Sequence, residues 1–138
     1  MKIIESEARN EISYDKIELL IPPGAYTFAT PHNQKIRHET KKEYEYLTGI
    51  WLTSNNLTQI INNNFVDGIY IDNKEFFPAD FDVKFLTSGI EIKPNDRFYE
   101  LFVKAQGSPI EIRYKVTGTV TVAYRVYFVL RYQGLLIK

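Results

Sequence analysis

The chain contains no cysteine in its 138 residues. That absence excludes a disulfide framework, thiolate metal sites and a thiol nucleophile, and it suits a fold made in a reducing compartment. Stability has to come from packing. Histidine is almost as scarce, with only His32 and His38, so no His-x-x-x-His or His-Glu-x-x-His zinc pattern can be written. An excess of one charge is also missing. Lys plus Arg and Asp plus Glu stand at 17 each, which leaves no global field to draw in a phosphate backbone or an anionic membrane. Neither nucleic-acid binding nor membrane insertion is expected. Long apolar runs are absent too: Met1-Lys2-Ile3-Ile4 meets Glu5 and Glu7 at once, so no signal-peptide core develops, and nothing approaches the ~20 residues of a spanning helix. The expectation is a soluble chain made in the cytoplasm. At this length one domain buries roughly two thirds of its unfolded surface.

What is present is alternation. From Pro109 to Tyr132 apolar and polar residues take turns, with a break at Thr117-Gly118-Thr119. Ile110, Ile112, Tyr114 and Val116 share one parity before the break. Val120, Val122, Tyr124, Val126, Phe128, Leu130 and Tyr132 share one after it. A strand side chain switches face at every residue, so this pattern predicts two long antiparallel strands, each with one buried face, joined by a turn.

The rest of the chain reads as short extended segments with punctuation between them. Residues 1–14 are mixed in character and predict an N-terminal arm or an edge strand, and residues 15–138 a single β-sandwich of jelly-roll type. Lys16 to Ile21 is a strand that Pro22-Pro23-Gly24 stops, because neither proline can donate to a ladder. Ala25 to Thr30 follows as a second short segment. Residues 32–42 are polar and basic and read as an exposed loop with mixed, solvated charge. In Glu43 to Thr53 both faces are partly apolar, with Tyr44, Tyr46, Ile50 and Leu52 on one and Leu47, Gly49 and Trp51 on the other, which predicts a strand covered on both sides. Core packing is the favoured role for Trp51. Leu57, Ile60 and Ile61 allow at most one short helix near 56–62. Phe65 to Ile71 and Glu75 to Leu86 read as a hairpin through Asp72-Asn73-Lys74, whose residues tolerate a left-handed backbone. With Ile90 to Lys93 and Arg97 to Ala105 the total is about eight strands, the number of a jelly roll.

No catalytic, cofactor-binding or metal residue is nominated. Asp80 and Asp82 share a strand face near Asp67, Asp72 and Glu75 and could gather oxygen ligands for calcium, but no Asp-x-Asn-x-Asp-Gly loop is present. Glu43, Glu45, Glu91 and Glu111 are candidates for a glycosidase pair, with nothing in sequence to tell them from a solvent face. Ser6, Ser13, Ser54, Ser88 and Ser108 show no Gly-x-Ser-x-Gly elbow. The ten Tyr, nine Phe and Trp51 fill a core or stack on sugars. An enzyme is not expected.

Three stretches carry a resemblance. Ile71-Asp72-Asn73-Lys74-Glu75-Phe76-Phe77-Pro78-Ala79-Asp80-Phe81, then Pro94-Asn95-Asp96-Arg97-Phe98, then Gly107-Ser108-Pro109-Ile110-Glu111-Ile112-Arg113-Tyr114 resemble the layout of small jelly-roll capsid proteins of tailless icosahedral bacteriophages. The likeness covers about the C-terminal half, and its motifs are a turn, a Phe-Pro kink and alternating strands. It implies a virion structural protein whose partners are itself, in a closed ring such as a pentamer, and other capsid proteins. A chain with residues for one jelly roll fits the five-fold penton or a spike base better than a double-barrel shell protein. Two alternatives remain at this point: a carbohydrate- or receptor-binding β-sandwich module, and a small glycan-active enzyme. The outward row of the last strand, Arg125, Tyr127, Val129 and Arg131, is the expected subunit interface, because Tyr127 and Val129 add apolar area to a polar face.

Overall fold

The computed structural model describes residues 12–56, 63–77, 81–82 and 98–136. It is an all-β, antiparallel sandwich. Among the described residues eleven strands follow in order: β1 Ile12–Ile21, β2 Gly24–Tyr26, β3 His32–Glu39, β4 Tyr44–Ser54, β5 Asn64–Ile71, β6 Lys74–Phe77, β7 Phe81–Asp82, β8 Tyr99–Lys104, β9 Pro109–Val116, β10 Gly118–Val120 and β11 Tyr124–Leu135. One sheet has the order β1-β11-β4-β8, the other β3-β9-β5-β6 with β7 also on β5, and β2 pairs with β10. The expected helix near 56–62, the strand at Ile90 to Lys93 and the Asp80/Asp82 pair lie outside the described residues or side chains. Ile12 to Tyr14, expected in an arm or edge strand, open β1, which is an edge of its sheet.

The pairings nest. β1 pairs with β11, β2 with β10, β3 with β9, β4 with β8, and β5 with β6 and β7. The chain is therefore one long antiparallel ribbon, folded over so that β11 also joins β4 and β9 joins β5. At its tip the Asp72-Asn73 turn has φ of 52° and 64°, the left-handed pair expected of a tight hairpin.

This nesting corrects the expected C-terminal hairpin. β9 and β11 do carry the alternation, and Ile110, Ile112, Tyr114, Val116, Val126, Phe128, Leu130 and Tyr132 are all buried. They lie in opposite sheets, however, so the two apolar rows face each other across the core, with the Tyr114 and Phe128 rings edge-to-face at 5.9 Å. The break at 117–119 is a crossing between sheets. Gly118 makes it possible, with φ of 82° and the Asn63 side-chain carbon 2.8 Å from where a Cβ would sit. Val122, expected inside, is 75% exposed in the connection that follows.

A buried polar knot fixes the crossing. Asn64, on β5, accepts hydrogen bonds at Oδ1 from the Tyr114 hydroxyl (2.7 Å) and the Tyr124 hydroxyl (3.0 Å), one tyrosine from each sheet. The Thr117 N–H donates to the Asn63 carbonyl at 2.8 Å.

Residues 32–39 form a strand, not a loop. Burial alternates residue by residue along β3, but the inward positions are His32, Gln34, Ile36 and His38, so polar side chains hide the period. These residues clasp β3 to β1 where the two sheets' edges meet. His38 Nε2 lies 2.8 Å from Asp15 Oδ2, Gln34 Nε2 donates to the Leu20 carbonyl at 2.8 Å, and Lys41 Nζ donates to Ser13 Oγ at 2.8 Å.

Replacing Asn64 by alanine leaves two buried hydroxyls without their acceptor, and should cost about 2–4 kcal/mol in chemical denaturation against about 1 kcal/mol for Tyr124→Phe. Burial pushes the Tyr124 phenol up to about 12. Because its proton is held more tightly folded than unfolded, its contribution is complete below the ordinary value of 10.0 and is lost as pH rises through about 12. Alkaline unfolding monitored by circular dichroism should therefore track the phenolate ultraviolet band in that window, and Tyr124→Phe should shift it.

Candidate assembly face

The expected interface row lies on the outer face of the β1-β11-β4-β8 sheet, in its middle, since β11 has a neighbour on each side. Four side chains meet four fates. Arg125 pairs with Glu18 at 2.9 Å, both about half exposed, an interaction of the size worth about 0–1 kcal/mol. Tyr127 is half-buried beneath Lys16, whose ammonium is 4.9 Å from the ring centroid. Val129 sits between Lys16 and Trp51 in register and is half-buried. Arg131 is only 6% exposed.

Arg131 faces outward yet is buried because neighbours cover it. Its Nη2 donates to the Thr48 carbonyl (2.9 Å) and the Glu100 carboxylate (2.7 Å), and its Nε to Thr48 Oγ1 (3.1 Å). The guanidinium carbon lies 4.9 Å from the Phe98 ring centroid. Thr48 reaches this position through a bulge: Arg131 pairs with Gly49 and Tyr132 with Leu47, leaving Thr48 as an extra residue in β4. The bulge also reverses the strand's parity, which is why Leu47 and Ile50 both point into the core although they are three apart.

Phe98 closes the cluster. It is 8% exposed, stacks on Tyr14 at 5.7 Å and meets Trp51 edge-on at 6.0 Å. Trp51 thus packs on the outer face, half-buried, and not in the core between the sheets, as its parity after the bulge requires. Gly49 provides the floor, since a Cβ there would come within 2.9 Å of Phe98 Cβ and 3.1 Å of the Arg131 guanidinium carbon. At the β8 edge Phe102 stacks on Tyr46 at 4.3 Å. Exposed apolar side chains on the same face are Ile12, Tyr14, Leu20 and, at 71%, Phe102. Sequence reasoning found Tyr127 and Val129 and missed Tyr14, Phe98 and Phe102, because β1 and β8 join this face only through pairings distant in sequence.

The remaining sequence candidates do not converge. Glu111 lies on the outer face of the other sheet, away from Glu43 and Glu45 at the start of β4. Partial burial raises its pKa, but hydrogen bonds from Arg37 and Arg113 and the charge of Lys35 outweigh that and hold the carboxyl below its ordinary value. An ionised acceptor is the opposite of a general acid. His32 bonds Gln34 at 2.9 Å and His38 bonds Asp15. The Ser54 and Ser108 hydroxyls donate to the Arg125 and Ala105 carbonyls. Glu91, Ser6 and Ser88 lie outside the described residues.

Gly49→Ala pushes a methyl group into Phe98 Cβ, which cannot swing aside as a flexible side-chain end would. It should cost about 1–3 kcal/mol and quench or shift Trp51 fluorescence, whereas Thr53→Ala on the same strand should leave the emission unchanged. Comparison of the chain with protein-family models, with curated proteins and with solved structures returned no match.

Proposed function

We propose that the protein is a capsid component with a jelly-roll fold, acting as the penton at five-fold vertices or as a spike base of a tailless icosahedral phage. The strand order supports the fold reading. Leaving aside the short β2, β7 and β10, the eight remaining strands take the order 1-8-3-6 in one sheet and 2-7-4-5 in the other, the pattern produced when one ribbon is wound into two Greek keys.

The observation that carries the assembly reading is the outer face of β1-β11-β4-β8. Tyr, Trp, Phe and Arg are the residues enriched where protein surfaces meet, and Tyr14, Trp51, Phe98, Phe102, Tyr127, Arg125 and Arg131 occupy one sheet surface. A closed ring needs such a surface to fit a different one on the neighbour. The exposed Leu20 and Tyr14 of the edge strand β1 supply protrusions at its margin.

Native mass spectrometry of the purified chain should show a closed oligomer, a pentamer on this reading. Tyr14→Asp should return it to a monomer that keeps the far-ultraviolet circular dichroism of the parent chain, because Tyr14 is 47% exposed. A parent chain that stays monomeric at every concentration, alone and with the other virion proteins, would sink the proposal.

A further inference from the structure

The opposite outer face, on the β3-β9-β5-β6 sheet, has a different chemistry. β3 runs beside β9 in a register that sets Arg37 against Glu111 and Lys35 against Arg113, while β5 sets Tyr70 on the other side of Glu111. Glu111 is the deepest of the charged group, with its side chain 18% exposed against 76% for Arg37, 51% for Lys35 and 45% for Arg113. Both arginines are anchored to it. Arg37 Nε reaches Oε1 at 3.1 Å, and Arg113 Nε and Nη2 both reach Oε2 at 2.9 Å. Arg113 also lies over the Tyr70 ring, 4.7 Å from its centroid.

One carboxylate therefore holds two guanidiniums in place, and within this ion-paired group three cations meet one anion. Glu111 engages one nitrogen of Arg37 and two of Arg113, so both terminal nitrogens of Arg37 and one of Arg113 remain as donors. They border a hollow of about 370 Å³ lined by Arg37, Tyr70, Asn73, Ile110, Glu111 and Arg113. That volume falls in the range of small-molecule sites. Two further acids stand near the group: Asp67 lines an adjoining hollow with Arg113, and Glu75 faces Tyr70 in register from β6.

We propose that this hollow binds a small polar ligand bearing one oxyanion, a charged sugar by class. The oxyanion sits between the free guanidinium nitrogens, where planar forked donors match carboxylate or phosphate oxygens. Asn73 and the Tyr70 hydroxyl edge serve its neutral hydroxyl groups. Pre-orientation by Glu111 lowers the ordering cost that long arginine side chains otherwise impose on binding. The site is separate from the proposed assembly face, so either can fail without the other.

The test is titration of the intact chain with N-acetylneuraminic acid, with glucose 6-phosphate and with the uncharged methyl ester of the first, followed by backbone amide NMR. Saturable shifts centred on Asn73 and Arg113 are expected with at least one anionic sugar, and which of the two saturates identifies carboxylate or phosphate as the source. Arg37→Gln, an exposed change that leaves the fold intact, should weaken binding about tenfold, the effect of one charge-assisted hydrogen bond. Arg125→Gln removes the same charge from the other face and should leave binding unchanged. Three results would each overturn the proposal: no saturable shift with either anion, equal binding of the methyl ester, or equal weakening by Arg37→Gln and Arg125→Gln.

Discussion

The side-chain oxygen of Asn64, shared by a tyrosine from each sheet, is the point on which the sandwich depends. A ribbon folded over on itself must carry its chain from one sheet to the other, and each crossing threatens to strand backbone groups away from water. Between β9 and β11 the transfer takes place within the span of β10, and Tyr114 and Tyr124 flank it. Because both hydroxyls end on the same acceptor, the distance between the sheets and the register of the crossing are set together. An apolar contact would allow either to slide. A shared hydrogen-bond acceptor does not, since losing alignment leaves a buried polar group unpaired.

The nested ribbon follows from that crossing and has costs of its own. Pairing β1 with β11 brings together residues at opposite ends of the described chain, and such long-range closure is slow because its entropy is lost before its contacts form. Among the described residues it also leaves four sheet edges, at β1, β8, β3 and β6. Two of these guard each other. The bonds from Gln34, His38 and Lys41 to β1 tie one sheet's edge to the other's, and the alternate Lys35 and Arg37 keep charge on the outside of β3, a common protection against unwanted strand addition.

How far the sequence could be read depends on whether each signal was local. Asp72-Asn73 specifies its turn through residues that accept a left-handed backbone, and that needed no partner. The alternation in β9 and β11 identified buried faces correctly, because parity is a property of a single strand. Whether two buried faces lie side by side or opposite one another is not, and so the crossing at Gly118 looked like a hairpin turn. β3 was hidden for another reason: its inward row is His32, Gln34, Ile36 and His38, and period-two patterning is visible only when one phase is apolar. The Thr48 bulge misdirected Trp51, since one extra residue reverses every assignment beyond it. On the outer face Arg131 was legible as outward and illegible as buried, because Phe98 and Glu100, which cover it, arrive from β8 and the residue before it.

Arg131 gives the face a property that exposed aromatics alone would lack. A guanidinium taken out of water is costly unless its donors are met, and here Thr48 and Glu100 accept three bonds while the Phe98 ring packs against the guanidinium, its centroid 4.9 Å from the guanidinium carbon. The desolvation has therefore already occurred in the free chain. A partner arriving over Tyr14, Phe98 and Trp51 would find these rings fixed by Gly49 beneath them and by Arg131 beside them, with little rotamer freedom left to lose. A carbohydrate-stacking platform would also use rigid rings, but it needs them exposed and parallel to the surface. Phe98 is instead wedged among neighbours, and its stacking face is given to Tyr14 and Arg131. That arrangement suits the proposed assembly role better than the stacking of a single sugar on an open ring. On the opposite sheet the order is reversed: Glu111 is sunk, the arginine ends stand free, and the proposed ligand would meet individual donors.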